Sequence, residues 1–464
     1  MRLRGITRNV VMLGLVSFCT DLASEMLYPI IPLFVVGTLG SSPALLGLIE
    51  GLAEGISSGL RWIGGAWSDR IGRRKPFIVA GYGLSAFSKP VMGLAGLILG
   101  WPLFLLGRCS DRLGKSIRTA ARDALIADST DPAYRGAAFG FHRAFDTCGA
   151  VLGPAAALLM LQLWPQVPLM WLFFVAFLPG LGSVLLAAGA VRDIRPQPPA
   201  SGLPDPVPDN PKPPAPSPQS RRPAPRPAER NATVGGRAPL ARPTLWQQFP
   251  RPFWHLLIAY AVFSLGNSSD SFLILRSKEI GLSAAQVIVA YMLFNVVYAA
   301  AATPLGHLSD RIGRRPVVIA GWVAYAAVYA GFAYFEVPLA PWILLGVYGL
   351  YQALTEGVVK AMISDVVPTQ QRAGAIGLLA TVAGLGQLVA SLLAGATWHI
   401  RLFDGQLMLA LALGAACALL AIPLVATVRD SATPSSRGLQ PARIVPGACI
   451  SRPPRAAPRN PKTL

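Results

Sequence analysis

The sequence predicts an all-α membrane protein of twelve transmembrane helices in two six-helix bundles, with both termini cytoplasmic. Three observations carry this. Of 464 residues, 53% are hydrophobic and 14% charged, where a soluble chain carries about a quarter charged residues. Apolar runs of about 20 residues, enough to cross ~30 Å of hydrocarbon, recur from end to end. The heptapeptide Ser-Asp-Arg-Ile-Gly-Arg-Arg occurs at Ser68 to Arg74 and again at Ser309 to Arg315, each time between two such runs. A duplicated basic turn between apolar runs marks an internal repeat and puts both copies on one side of the membrane.

In chain order, the first run, 10–37, holds Asp21 and Glu25 and is too long for a cleaved leader. Further spans are expected at 43–66, 77–99, 101–127, 137–163 and 167–190, completing a bundle over 9–190. Residues 191–251 are rich in Pro and Arg and nearly free of large apolar side chains. Such a segment buries too little surface to fold, so a disordered cytoplasmic linker is expected. Spans at 252–276, 282–306, 316–336, 341–365, 373–399 and 403–428 make the second bundle, 252–428, and 429–464 reads as a disordered basic tail. Asp128, Arg135 and Gly140 recur at the same mutual spacing as Asp365, Arg372 and Gly377.

Loop charge sets the topology. The repeated turns are basic, whereas 37–43, 100–102 and 163–168 carry no charge. Basic loops stay in the cytoplasm, and the expected location is the cytoplasmic (inner) membrane of a prokaryote. The net charge of +19 gathers in the linker, the termini and the turns. That distribution fits anionic lipid at the cytoplasmic face rather than nucleic acid. Five cysteines have neither disulfide nor metal spacing. No nucleophile with its base and no phosphate loop occurs, so no enzyme, metal or cofactor is expected and energy must come from a gradient. A monomer is the expected state.

The two turns, with Gly65, Asp69, Arg70, Gly72, Arg73 and Arg74 in the first and Gly306, Asp310, Arg311, Gly313, Arg314 and Arg315 in the second, resemble the signature of the major facilitator superfamily. The resemblance covers nearly all of 9–428 and implies the major facilitator fold. It also implies a conformational latch, Asp69, Arg73 and Asp128 in one half and Asp310, Arg314 and Asp365 in the other. Gly149, Gly153 and Pro154 resemble the fifth-helix motif of the drug–proton antiporters of that superfamily, although Ala156 and Ala157 stand where a glycine pair is usual. Arg108 matches an antiporter membrane arginine, but Arg112 stands where a glycine is usual. The run from Asp111 to Asp128 is similar to a largely uncharacterised prokaryotic permease branch.

The fourth span is the unusual element. Arg108, Arg112, Lys115, Arg118 and Arg122 are spaced 4, 3, 3 and 4 apart, which aligns them on one helix face. A charge at the bilayer centre costs at least ~2.5–3.5 kcal/mol, so these cations must face water or acids. Depth matching suggests Glu50 or Glu54 for Arg108, Asp21 or Glu25 for Arg112 and Lys115, and Asp146 for Arg118 or Arg122. Asp21 and Glu25, then Glu54, are the foremost candidates for proton binding. A fixed salt-bridge network is the structural alternative. The second half offers Asp270, Glu356 and Lys360, with Tyr291, Phe294, Tyr298, Tyr348 and Tyr351 as an aromatic wall.

These residues point to a secondary transporter, proton-coupled and exporting a small organic compound by alternating access. The alternatives are a proton symporter importing a metabolite and a transport-inactive sensor or scaffold. The basic stripe favours an anionic or zwitterionic substrate.

Overall fold

A computed structural model of the chain describes residues 6–71, 73–131, 134–193, 249–368 and 371–428. The linker expected at 191–251 from residue 194 to 248, the tail at 429–464, Gly72, and the side chains of Gly65 and Asp69 lie outside the described residues.

The first half contains α1 (Arg8–Leu27), α2 (Pro43–Ile71), α3 (Lys75–Leu94), α4 (Trp101–Asp128), α5 (Arg135–Leu163) and α6 (Met170–Gly189). The second contains α7 (Arg251–Ser264), α8 (Ser271–Glu279), α9 (Ala284–Ile312), α10 (Arg314–Tyr334), α11 (Ala340–Val366), α12 (Arg372–Ala396) and α13 (Leu409–Ala426). Nine of the described helices are long and apolar enough to cross a membrane. α2 and α4 are long enough, with 29 and 28 residues, but carry charge within them. α7 and α8 are each short because they are two pieces of one span.

Within the first half α1 packs on α5 and α6, and α4 on α2 and α3. In the second, α11 packs on α9 and α10, and α13 on α7 and α10. The halves meet through α2 on α12 and α5 on α9. The second helix of each half thus faces the fifth helix of the other, as an internal two-fold would place them.

Two predicted spans are broken. The run expected as 10–37 leaves α-helical form after Leu27 and ends in a π-helical turn, Leu33–Thr38. Pro29 and Pro32 lack the amide hydrogens a continuous helix needs. The run expected as 252–276 stops at Ser264 and resumes at Ser271. Between them lie Gly266, Asn267, Ser268, Ser269 and Asp270, whose short polar side chains compete for backbone hydrogen bonds. Tyr325 and Tyr329 of α10 donate to the freed carbonyls of Gly266 and Ser268 at 2.9 and 3.3 Å. The third span ends at Leu94 rather than 99. The twelfth starts at Leu409 rather than 403, because Arg401–Leu402 and Leu407–Met408 pair as a small hairpin. Its turn holds Phe403, Asp404 and Gly405 at positive φ.

The contact between halves is one-sided. On α2 and α12 it runs from Ala44 against Gly395, through Ser391 against Gly47, to Ser58 against Gly384. Farther along, towards the signature turns, no neighbouring side chain or other helix lies within 4 Å of where a Cβ would sit on Gly59 or Gly377. Between α2 and α12 the close contact therefore lies nearer the uncharged 37–43 turn, while towards the basic end Arg143 of α5 reaches Tyr298 of α9 across the halves.

Candidate functional site

The cations of α4 meet different surroundings. Arg108 is 4% exposed and clamps Glu50 of α2 through two parallel hydrogen bonds, Nε to Oε1 and Nη2 to Oε2, both 2.9 Å. Arg112 stands 4.0 Å from Glu54, whose carboxylate also accepts from Ser58 at 3.2 Å. Lys115 is exposed, although it stands in the middle of α4 and within electrostatic range of Glu54 and Asp21. Those acids belong to α2 and α1, so Lys115 shares the acidic side of the first half with them. Arg118 lies over the Tyr82 ring at 4.6 Å. Arg122 donates to Asp123 at 2.9 Å and to Ser17 at 3.1 Å.

Of the pairings expected from depth, Arg108 with Glu50 is formed. Asp21 and Glu25 are near the stripe but hold no cation within ion-pair distance among the described residues. Glu25 instead accepts from the phenol of Tyr291 on α9 at 2.9 Å, across the gap between halves. Asp146 lies with its own-helix neighbours, 3.6 Å from His142 and 3.9 Å from Arg143. The i,i+3 and i,i+4 spacing within α5 brings both within ion-pair distance, and Arg122 of α4 lies within electrostatic range of the same carboxylate.

Phenols serve the acids of the second half too. Asp270, in the break of the seventh span, accepts from Tyr348 at 2.6 Å. Glu356 accepts from Tyr298 at 2.5 Å and from Lys360 at 3.3 Å. Arg143 of α5 reaches the same group, 3.3 Å from the Tyr298 hydroxyl and 3.9 Å from Glu356. These side chains line a cavity of about 500 Å³ at the basic end, with Thr303, His307, Asp310 and Arg314. The expected aromatic wall is thus also a set of hydrogen-bond donors. Of the five expected rings, Phe294 and Tyr351 contribute packing, Tyr351 edge-on to Tyr325 and tilted against Tyr348, and Phe294 between Tyr291 and Tyr348.

Sequence reading missed a second buried pair. Lys89 of α3, 1% exposed, lies 3.5 Å from Asp111, which takes a hydrogen bond from Ser85 and stands 3.8 Å from Arg108. Asp111 is three residues after Arg108 and was readable as its i,i+3 neighbour; Lys89 has no charged residue within two turns of it on its own helix. Ser269, which donates to Glu50 at 3.3 Å and so joins the Arg108 clamp to the second half, was also missed.

The glycines of α5 have a definite place. A Cβ on Gly149 would come within 2.8 Å of Asp21 Cβ, and one on Gly153 within 2.7 Å of the Met26 amide and 3.0 Å of Glu25 Cβ. Small residues here let α1 and α5 touch backbone to backbone where both acids sit. Pro154 follows inside α5.

In the second half the three residues expected to form a latch are brought together. Arg314 bonds Asp310 at 2.7 Å, Asp365 at 2.9 Å and Ser309 at 3.1 Å. Gly313 supplies the turn, with φ of 99°, a conformation that side-chain-bearing residues avoid. In the first half Arg74, not Arg73, takes the corresponding position. It donates to Ser68 at 3.0 Å and lies 3.7 Å from Asp128. Asp193 accepts from the amides of Arg74 and Lys75 at 3.0 and 3.3 Å and fixes Arg74 there, while Arg73 is exposed. Arg70 and Arg311 are exposed at the same end. Gly65 and Gly306 lie within α2 and α9.

The sequence matches the Major Facilitator Superfamily profile in two overlapping segments, 13–277 and 256–458. It is 34% identical over 403 residues to an uncharacterized MFS-type transporter of Methanocaldococcus jannaschii, covering 86% of this chain and 90% of that protein. It is 32% identical over 139 residues to multidrug resistance protein MdtH of Salmonella newport, covering 30% of this chain and 33% of that one. Among solved structures, nucleoside transporter NupG superposes with a TM-score of 0.64 at 12% identity, over 91% of this chain and 99% of that chain. At that identity the likeness is one of fold.

Proposed function

The chain belongs to the Major Facilitator Superfamily, and from that premise we propose that this membrane transporter is proton-coupled and exports a small organic compound by alternating access. The observation that carries the reading is the Glu25 carboxylate accepting from Tyr291 at 2.9 Å. It is a titratable group whose hydrogen bond spans the two halves that must rock. As a carboxylate, Glu25 accepts from Tyr291 and is drawn towards Lys115 and Arg112. A proton on it removes that charge and weakens the tie between α1 and α9. Asp21, beside it on α1, and Glu54 on α2 are the next groups along the same passage. The latch at Asp310, Arg314 and Asp365 holds the basic end of the second half in one arrangement, and Arg74 with Asp128 does so in the first. Interrupted helices at corresponding places in two repeats, here the first and seventh spans, point to the substrate site of such carriers.

Basic turns keep to the cytoplasm, so the cavity at the basic end lies on the cytoplasmic side. The partial likeness to a multidrug resistance protein favours export over import. On this reading both termini, the 191–251 linker and the tail face the cytoplasm, where their basic residues meet anionic lipid. The membrane is the inner membrane of a prokaryote and the carrier works as a monomer.

The test is a substrate-induced pH change in proteoliposomes across a compound panel, repeated with Glu25→Gln. Export by antiport drives protons opposite to the substrate, and Glu25→Gln abolishes that movement. Protons moving with the substrate would mean a symporter, and unchanged coupling in Glu25→Gln would remove Glu25 from the mechanism.

A further inference from the structure

We propose that the passage between the halves binds a zwitterion, its cationic group at Asp270 beside the Tyr28 ring and its anionic group at Lys115. The proposal rests on reading this passage as the substrate path and names the substrate's charge class.

Two opposite charges in the passage lack partners. Asp270 accepts from the neutral phenol of Tyr348 and holds no cation within ion-pair distance among the described residues. Glu25, Glu50 and Glu54 lie within electrostatic range of it, as do several phenols, and Arg108 stands over the nearby Tyr28 ring. The Lys115 ammonium makes no hydrogen bond or ion pair among the described residues and is exposed. Glu25 and Glu54 lie within electrostatic range of both, so both face one space. A partly buried carboxylate without a counter-ion, such as Asp270, is costly and a cationic ligand relieves it, while the exposed Lys115 ammonium is free to meet an anionic one.

The surroundings differ at the two poles. Asp270 stands near Tyr28, which stacks on Tyr291 at 5.4 Å, and Tyr291 neighbours Phe294 at 5.6 Å. Aromatic faces beside a carboxylate suit an organic cation. Lys115 offers three donors on a flexible stem and no ring, which suits an oxyanion. Arg108 lies 5.9 Å over the Tyr28 ring and so marks the depth of the acidic pole. Lys115 is seven residues farther along α4, which at 1.5 Å per residue separates the poles by about 10 Å. That gap is too wide for the two to neutralise each other. A ligand with a single charge would satisfy one pole and leave the other bare.

The test uses the purified full chain in detergent and three matched probes: para-aminomethyl-phenylpropanoic acid, its primary amide and its N-acetyl derivative. Calorimetry should find the zwitterion bound about ten-fold or more tightly than either singly charged relative, a difference of about 1.4 kcal/mol. Asp270→Asn should reduce the zwitterion to the affinity of the N-acetyl anion. Lys115→Gln should reduce it to that of the cationic amide. Equal affinity for the three probes, no binding of the zwitterion, or an unchanged preference in both variants would overturn the proposal. The wild-type comparison decides even if a variant does not fold. Binding in detergent needs no gradient, so the proton-coupling reading can fail in vesicles while this site stands, and the reverse.

Discussion

Arg108 and Glu50 form a two-pronged clamp between α4 and α2, both contacts 2.9 Å, and Glu50 is held a third time by Ser269 of the other half. The guanidinium fork matches the carboxylate in a way that an ammonium cannot. Removing one partner leaves a buried charge bare, which costs about 3–5 kcal/mol. Arg108→Gln and Glu50→Gln alone should each lower the thermal unfolding midpoint of the purified protein. The double variant should recover most of the loss, and Arg108→Lys should recover little. Additive single effects in that cycle would show that the pair is not coupled.

Gly149→Ala and Gly153→Ala should cut transport steeply with the protein still inserted. Each added methyl meets α1 closer than 3.0 Å, at Asp21 Cβ or the Met26 amide, and so displaces the segment bearing Asp21 and Glu25. Ala at Gly182, where no neighbouring side chain or other helix lies within 4 Å, is the control and should transport normally. Uptake or efflux rates per inserted molecule read this directly.

The latch should be asymmetric in sequence position. Arg74→Ala and Arg314→Ala should both impair transport, because these are the arginines at Asp128 and Asp365. Arg73→Ala, at an exposed position, should change the rate less than about two-fold, as surface substitutions do. Equal losses for Arg73→Ala and Arg74→Ala would contradict the assignment.

Much of this site was legible and the remainder was not, for separable reasons. The α4 stripe stood out because charges at helical spacing inside an apolar run have few places to go. Depth narrowed the clamp partner of Arg108 to Glu50 or Glu54, and packing chose Glu50. The breaks at Tyr28–Pro32 and Leu265–Asp270 were hidden because the runs around them stay apolar. Lys89 was hidden because a cation with no charged residue within two turns of it on its own helix gives no pattern. The phenols were read as packing because an aromatic side chain does not announce which acid its hydroxyl will meet. Arg74 replaced Arg73 because Asp193, more than a hundred residues away, holds its backbone.

A pH effect is expected at the uncharged end. Glu336, in the loop after α10, accepts from Arg276 at 3.0 Å, and that hydrogen bond holds its carboxyl below its usual range. A lowered folded value means the contact stabilises above the unfolded value near pH 4.3 and is lost as pH falls through the folded value. Wild-type and Glu336→Gln midpoints should therefore differ at pH 7 and converge in acid. The carboxylate is 67% exposed, so the difference should be small and shrink in high salt. A gap that persists in acid would assign it to something other than this charge.

The central claim is that the α4 cations open onto water between two rocking halves. Lys115→Cys in a cysteine-free chain, reconstituted in lipid and treated with a membrane-impermeant maleimide, tests it most directly. Labelling from the basic end, slowed when the halves are cross-linked shut there, is the predicted result. A thiol that ignores the aqueous reagent and reacts only with a lipid-soluble one would contradict the account.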